Sequence, residues 1–199
     1  MPPEGKRAQS PEQRRSDIVR AAMDLFARQG FEQTPVEQIA AGAGVAKGTF
    51  YLYFPSKQDL LAAMQAKYMD DFLARLARGL DRQADGDWPG KLAAWVRSGV
   101  DYYLDTLPLH DVVFHGVPLL LNANARDNPI IRQLETLLRQ GHEAGVWPAA
   151  DFGLLSVFLF NGLHSGLDAA RNFPDHDRLY QSMLRICSRA LGLPDQPPA

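Results

Sequence analysis

A single cysteine, Cys187, occurs in 199 residues. One thiol cannot close an intramolecular disulfide or build a cysteine-based zinc site, so a reducing compartment is the expected setting. Long apolar runs are missing as well, and none approaches the roughly 20 residues needed to span a bilayer. The opening stretch, MPPEGKRAQSPEQRR, is polar and lacks the apolar core of a secretory signal. These absences predict a cytoplasmic protein with no membrane partner. Basic residues are not in excess: Lys and Arg number 21 against 23 Asp and Glu, a formal net charge of −2. That excludes a uniformly basic protein and leaves room for a small basic surface on an acidic body. Alternating β-branched and aromatic runs bounded by Asn-Gly or Asp-Gly turns are absent, so no strands are expected. What is present is 46% apolar and 22% charged residues, enough for a core that buries roughly 70% of the unfolded surface. The length fits one or two domains of roughly 100–200 residues each.

The pattern is helical almost throughout. Ile18, Ala21, Ala22, Leu25 and Phe26 recur at helical spacing and must face a core, and Gly30 supplies the stop. Thr34-Pro35-Val36-Glu37 reads as a start: threonine as cap, proline at the first helical position, glutamate closing a capping box. Gly42-Ala43-Gly44 ends that short helix. A third begins near Val45–Ala46 and stops before Pro55. Ser56, with Asp59 three residues later, restarts the chain in a helix running to about Leu80. After a polar loop at 81–87, helices are expected near 88–107, 109–116, 128–144, 149–171 and 175–191, with prolines at their boundaries. Residues 1–11 read as a flexible arm and 194–199 as a frayed tail. The fold class is all-α, with about nine helices.

Two short helices joined by a glycine-containing turn, with a third ahead of them, make a helix-turn-helix unit at about 35–54. Val36, Ile39 and Ala40 share a face of the second helix, Val45 can plug the turn, and Phe50 and Phe54 face the same core from the third. That third helix is left with Lys47, Gly48, Thr49, Tyr51 and Tyr53. A cation, a hydroxyl with a methyl and two phenols suit the edges and phosphates of a major groove, and Gly48 removes a side chain where backbone must come close. Lys57 sits where an ammonium and a helix N-terminus can hold one phosphate together. Charge agrees in sign: residues 1–57 hold eight Lys and Arg against six acids, and the remainder thirteen against seventeen.

The stretch FEQTPVEQIAAGAGVAKGTFYLYFPSKQDL, Phe31–Leu60, closely resembles the signature of TetR-type (TetR/AcrR) transcriptional regulators. The likeness extends from roughly Glu12 to Asp71, and beyond it only length and helicity agree. The resemblance implies a head at 12–72 and a ligand-binding and dimerisation domain at 73–193. It implies a homodimeric repressor, bound to a palindromic operator in double-stranded DNA and released by a small-molecule effector. Lys47, Gly48, Thr49 and Tyr51 would then face the groove, with Leu52 offering apolar contact. Thr34, Tyr53 and Lys57 would hold phosphates. Arg14 and Arg15 are either a phosphate-binding arm or a solvated helix start.

For the remaining two thirds, the resemblance implies a ligand cavity within roughly 88–145. Candidate lining residues are Trp95, Tyr102, Tyr103, Phe114, His115 and Leu119, together with Leu138, His142, Phe158 and Asn161. Such a lining suits an apolar or aromatic effector. Phe152, Leu155, Leu159, Leu163, Gly166 and Leu167 of one helix, and Leu179, Met183, Ile186 and Ala190 of the last, can pack within one chain or pair with a second copy as a four-helix bundle. The resemblance and the small residues Gly162 and Gly166 favour the second copy. His110, His115, His142, His164 and Asp168 do not form a recognisable metal-ligand pattern, so no metal and no cofactor are expected. Cys187 reads as a small buried hydrophobe. No G-x-S-x-G, G-x-x-x-x-G-K-[ST] or H-E-x-x-H occurs, and Gly42-x-Gly44 follows no strand. An enzyme is not expected. The alternative within the same fold is a DNA-bound scaffold without effector release.

Overall fold

The structure, a computed structural model, describes residues 10–115 (without the side chain of His115) and 127–193. The 1–9 part of the arm, Leu119 and the tail at 194–199 lie outside the described residues. Among the described residues there is no strand, and the helices are α1 (Pro11–Gln29), α2 (Val36–Gly42), α3 (Lys47–Tyr53), α4 (Lys57–Asp81), α5 (Trp88–Asp105), α6 (Leu107–His110), a π-helical turn (Asp111–His115), α7 (Pro129–Glu143), α8 (Phe152–Ala169) and α9 (His176–Ala190). None is long and apolar enough to cross a membrane.

Most ends are set by local chemistry that the sequence announces. The hydroxyl of Ser10 accepts from the N–H of Gln13 at the start of α1, and Ser56 accepts from the N–H of Asp59 while donating to its carboxylate. Asp87, Asn128, Asp151 and Asp175 cap α5, α7, α8 and α9 in the same way. Ala43-Gly44-Val45 and Ala144-Gly145-Val146 close α2 and α7 identically. The glycine takes a left-handed φ (67° and 76°), the valine N–H reaches back to Ala40 or Gly141, and the glycine N–H to Ala41 or His142. This is a Schellman motif written twice with the same three residues.

One start differs from expectation. Pro35 occupies the N-cap position of α2 and no side chain caps it. Thr34 is one residue too early, so its hydroxyl turns back and donates to the Gly30 carbonyl at 2.7 Å. Glu37 closes no capping box and pairs instead with Lys47.

The chain forms two compact units, one of Met1–Tyr68 with Leu107–Leu120, the other of Met69–Thr106 with Leu121–Ala199. Helix α4 continues from the first into the second, and the sequence boundary at 72/73 falls inside it. The core of the first unit holds Ile18, Ala22, Phe26, Ile39, Phe50 and Leu61. Gln65 is buried there, donating to the carbonyl of Val113 at 2.7 Å, which satisfies a group in the π-helical turn. In the second unit α7 packs on α8, and α5 on both α7 and α9. Trp147 lies over Gly141, where an added Cβ would meet the indole at 1.9 Å, and its N–H donates to the carbonyl of Leu138 at 2.7 Å.

Candidate nucleic-acid interface

Helix α3 is seven residues long, too short to stand alone in water. Its place is fixed by Phe50, fully buried, and by Phe54 at its end, 3% exposed. The two rings lie 6.0 Å apart. With that edge locked inside, the opposite edge faces solvent: Leu52 is 84% and Tyr51 46% exposed, Lys47 and Gly48 are exposed, and Thr49 and Tyr53 half-buried. An added Cβ at Gly48 would meet nothing within 4 Å, so no internal packing requires the glycine. The ring of Tyr51 stands edge-on to that of Phe50 at 5.4 Å, which orients the phenol.

Lys47 contacts Glu37 at 2.5 Å, joining α3 to α2 across the turn. Each partner's hydrogen bond favours the other's charged form, so the carboxyl of Glu37 is held below its usual range and the ammonium of Lys47 above its own. The pair is exposed, and water screens it. Its value lies in holding a cation at the mouth of the helix.

Two residues expected to hold phosphates are placed otherwise. Thr34 is fully buried, its hydroxyl bonded to Gly30 and approached by the amide of Gln29. That side chain is spent inside the fold. Lys57 turns its ammonium inward to the carbonyls of Phe31 (2.6 Å), Glu32 (3.3 Å) and Thr34 (3.0 Å), above the ring of Phe31 at 4.4 Å. An ammonium has three hydrogens, and here backbone takes all of them. The sequence places Lys57 beside a helix N-terminus but cannot show the loop whose carbonyls lie closer. Arg15 is exposed, with its guanidinium 5.0 Å above the ring of Phe54.

In the second unit the residues expected to line a cavity are scattered. Trp95 is buried and donates to Gln133 at 3.1 Å. Tyr102 stacks on Phe72 at 4.9 Å. Tyr103 donates to Asp168, and burial and that carboxylate raise its pKa. Leu138 is fully buried, and Nδ1 of His142 lies 3.0 Å from the carbonyl of Trp147. Phe114 belongs to the first unit, 5.3 Å from Tyr68. Phe158 and Asn161 are exposed and line no interior. His115 and Leu119 fall outside the described side chains. Among the described residues no three His, Cys, Asp or Glu side chains gather in a metal-binding cluster.

The residues expected at a dimer interface divide in two. Phe152, Leu159, Leu167, Leu179 and Met183 are buried in the chain's own core. At Gly166 an added Cβ would meet the terminal methyl of Met183 at 2.7 Å, so the side chain from α9 lies over this glycine within the chain. Leu155, Leu163 and Gly166 are half-buried and Ala190 exposed. Ile186 is 58% exposed, as are Leu154 at 62% and Phe158 at 69%. Helix α8 is apolar nearly all round, so its periodicity alone does not single out one face.

A short exposed helix carrying a cation, two phenols and a bare glycine, braced across a Gly-Val turn, defines the helix-turn-helix class of DNA-binding domains. Comparison narrows this. Residues 18–64 match the family described as bacterial regulatory proteins, tetR family. The chain is 42% identical over 72 residues (36% of the chain) to the transcriptional regulator RutR of Escherichia coli. It is 39% identical over 67 residues (34% of the chain) to the fatty acid metabolism regulator protein of Bacillus subtilis. The matched stretch spans 34% of the length of each. Across the fold, the chain superposes on the transcriptional regulator FadR of Bacillus subtilis, solved in complex with stearoyl-CoA, with a TM-score of 0.70 and 25% identity. That match covers 86% of this chain and 96% of that one. Over residues 18–64 the chain is similar to that family. The matched family is one of regulatory proteins, and RutR is a transcriptional regulator.

Proposed function

We propose that the protein is a homodimeric repressor that reads a palindromic operator with α3 and leaves it when a small apolar or aromatic molecule binds the second unit. The observation that carries this is the solvent-facing edge of α3, where Tyr51 and Leu52 stand exposed beside Lys47 while Phe50 locks the helix to its core. A phenol and an apolar side chain exposed together have no structural use in an isolated head, whereas base edges and thymine methyls offer partners to both. Lys47 exchanges Glu37 for a phosphate on binding, and Gly48 lets the duplex reach the backbone.

One short helix reads few bases, and two heads about 34–36 Å apart read successive major grooves. The exposed Leu154, Phe158 and Ile186 of α8 and α9 supply the apolar surface that a second copy covers, in place of the buried residues of the same helices. The stearoyl-CoA held by the Bacillus subtilis FadR supports an effector with a large apolar part. Release follows from the effector's unequal affinity for two conformations, and a coupling of about 1–3 kcal/mol loosens DNA roughly 5–150-fold.

Selection from a random duplex library at near-physiological salt tests the reading. An enriched inverted repeat supports it. Salt-sensitive binding without enrichment means that the head holds phosphates without reading bases, and a scaffold replaces the repressor. Tyr51→Ala lowers specific affinity by about 1–3 kcal/mol while leaving the melting temperature in place. Loss of the fold in that variant sinks the surface assignment.

A further inference from the structure

The second unit lies in the acidic part of the chain, where thirteen Lys and Arg after residue 57 face seventeen Asp and Glu. Yet four arginines converge on one open groove of about 520 Å³. Arg75, Arg78 and Arg82 come from the end of α4 and the residue just after it, three and four residues apart and so on one helical face. Arg97 reaches the groove from α5. Asp101 is the one acid among the lining residues. Four guanidinium groups sharing a groove repel one another unless anions offset them.

The protein's own anions offset only part of that charge. Arg97 is held by Asp177 at 2.6 Å and Asp101 at 3.1 Å, with its guanidinium 5.0 Å above the ring of Tyr180. Arg75 lies 3.8 Å from Asp105, near the limit of an ion pair. Arg78 and Arg82 have no acidic partner among the described residues. The dipole of α4 favours a cation at its C-terminal end. It does not require three cations on one side facing a fourth from another helix. The floor between them is where α4 and α5 approach closely: an added Cβ at Gly79 would lie 2.3 Å from the hydroxyl of Ser98 and 3.3 Å from the carbonyl of Ala94.

We propose that this groove binds a phosphorylated small molecule of nucleotide size, its phosphates taken by the paired forks of Arg78 and Arg82 and its organic part lying along the floor beside Ser98. A guanidinium fork matches phosphate oxygens two at a time, and the volume is that of a small-molecule site, typically about 300–1,000 Å³. A nucleic-acid backbone has the same phosphate chemistry. The Asp101 and Asp177 carboxylates around Arg97 stand against it, because a polyanion continuing past that end of the groove meets negative charge. The proposal uses no residue of α3 and stands apart from the repressor reading.

Titration of the full chain with ATP in the absence of magnesium, and separately with inorganic pyrophosphate, both at fixed ionic strength, tests it by calorimetry without DNA. Saturable binding of ATP is expected, weakened at least tenfold in Arg78→Gln/Arg82→Gln and unchanged in Arg28→Gln/Arg132→Gln, which removes two arginines elsewhere. If the double glutamine variant melts early, Arg78→Lys/Arg82→Lys decides, since it keeps the charges and loses the forks; the same weakening is expected. Three outcomes overturn the proposal: no saturable binding of either probe, equal affinity in wild type and both groove variants, or groove-dependent binding of an unrelated duplex with no binding of ATP.

Discussion

Phe50 and Phe158 are the same residue in two helices with opposite fates. In the seven-residue α3 the ring of Phe50 is fully buried, and in the eighteen-residue α8 that of Phe158 is 69% exposed. Around Phe50 the helix carries Lys47, Gly48, Thr49 and the exposed Leu52, and the edge turned inside is the one that holds the rings of Phe50 and Phe54. Helix α8 carries Phe152, Leu159 and Leu167 inward and Leu154 and Phe158 outward. A helix with one apolar stripe declares its buried side, whereas a helix apolar on both sides leaves the choice to its neighbours. The buried edge of α3 is therefore set by Phe50 and Phe54. The outer face of α8 leaves Leu154 and Phe158 exposed.

The contrast can be broken most directly by removing each ring. Phe50→Ala deletes a fully buried side chain and is expected to cost about 3–5 kcal/mol, enough to unfold the head. Chemical denaturation followed by circular dichroism checks it, and a loss under 1 kcal/mol on that scale would mean that the head repacks freely. Phe158→Glu is expected to leave the chain folded and shift dimer to monomer in sedimentation. A dimer that survives the charge places the interface elsewhere.

A middle-sized effect separates structure from recognition within the head. Lys57→Met removes three bonds to backbone carbonyls and is expected to cost about 1–3 kcal/mol of stability. The slope of log affinity for DNA against log salt should stay unchanged, because no phosphate contact is lost. A slope that falls by about one unit would return Lys57 to the phosphates.

The smallest effect concerns Cys187, 1% exposed in α9, whose thiol burial pushes up to about 12. The unfolded thiol titrates near about 8.5, so the folded state holds its proton more tightly than the unfolded one. This contribution to stability is whole below that value and declines as pH rises from there towards 12. A maleimide should label the native protein at neutral pH only as fast as α9 opens. Rapid labelling would mean that the last helix does not shield the thiol.

Much of this architecture is legible in the residues. Gly30, Gly44, Ser56 and the capping aspartates act within a few residues of themselves, so their meaning does not depend on the rest of the fold. The exposed edge of α3 is legible for the same reason, since it is what remains after Phe50 and Phe54 are assigned inward. The partners that Thr34 and Lys57 take are not legible, because they are backbone carbonyls and residue type carries no sign of a carbonyl. The faces of α8 mislead because composition cannot rank two apolar sides. The arginine groove escapes notice because Arg97 is distant in sequence from Arg75, Arg78 and Arg82, and only the packing of α4 on α5 brings them together.

The indole of Trp147, pressed over Gly141, belongs to a set whose distribution has an optical consequence. All three tryptophans, Trp88, Trp95 and Trp147, lie in the second unit, and the head contains none. Excited at the red edge of its absorption, the protein emits from one unit alone, while the head is visible only through its tyrosines and its backbone ellipticity. The emission curve and the ellipticity curve are two separate witnesses to unfolding. If they coincide, the chain melts as one cooperative body, and if they part, the interval between them measures how independently the head holds together.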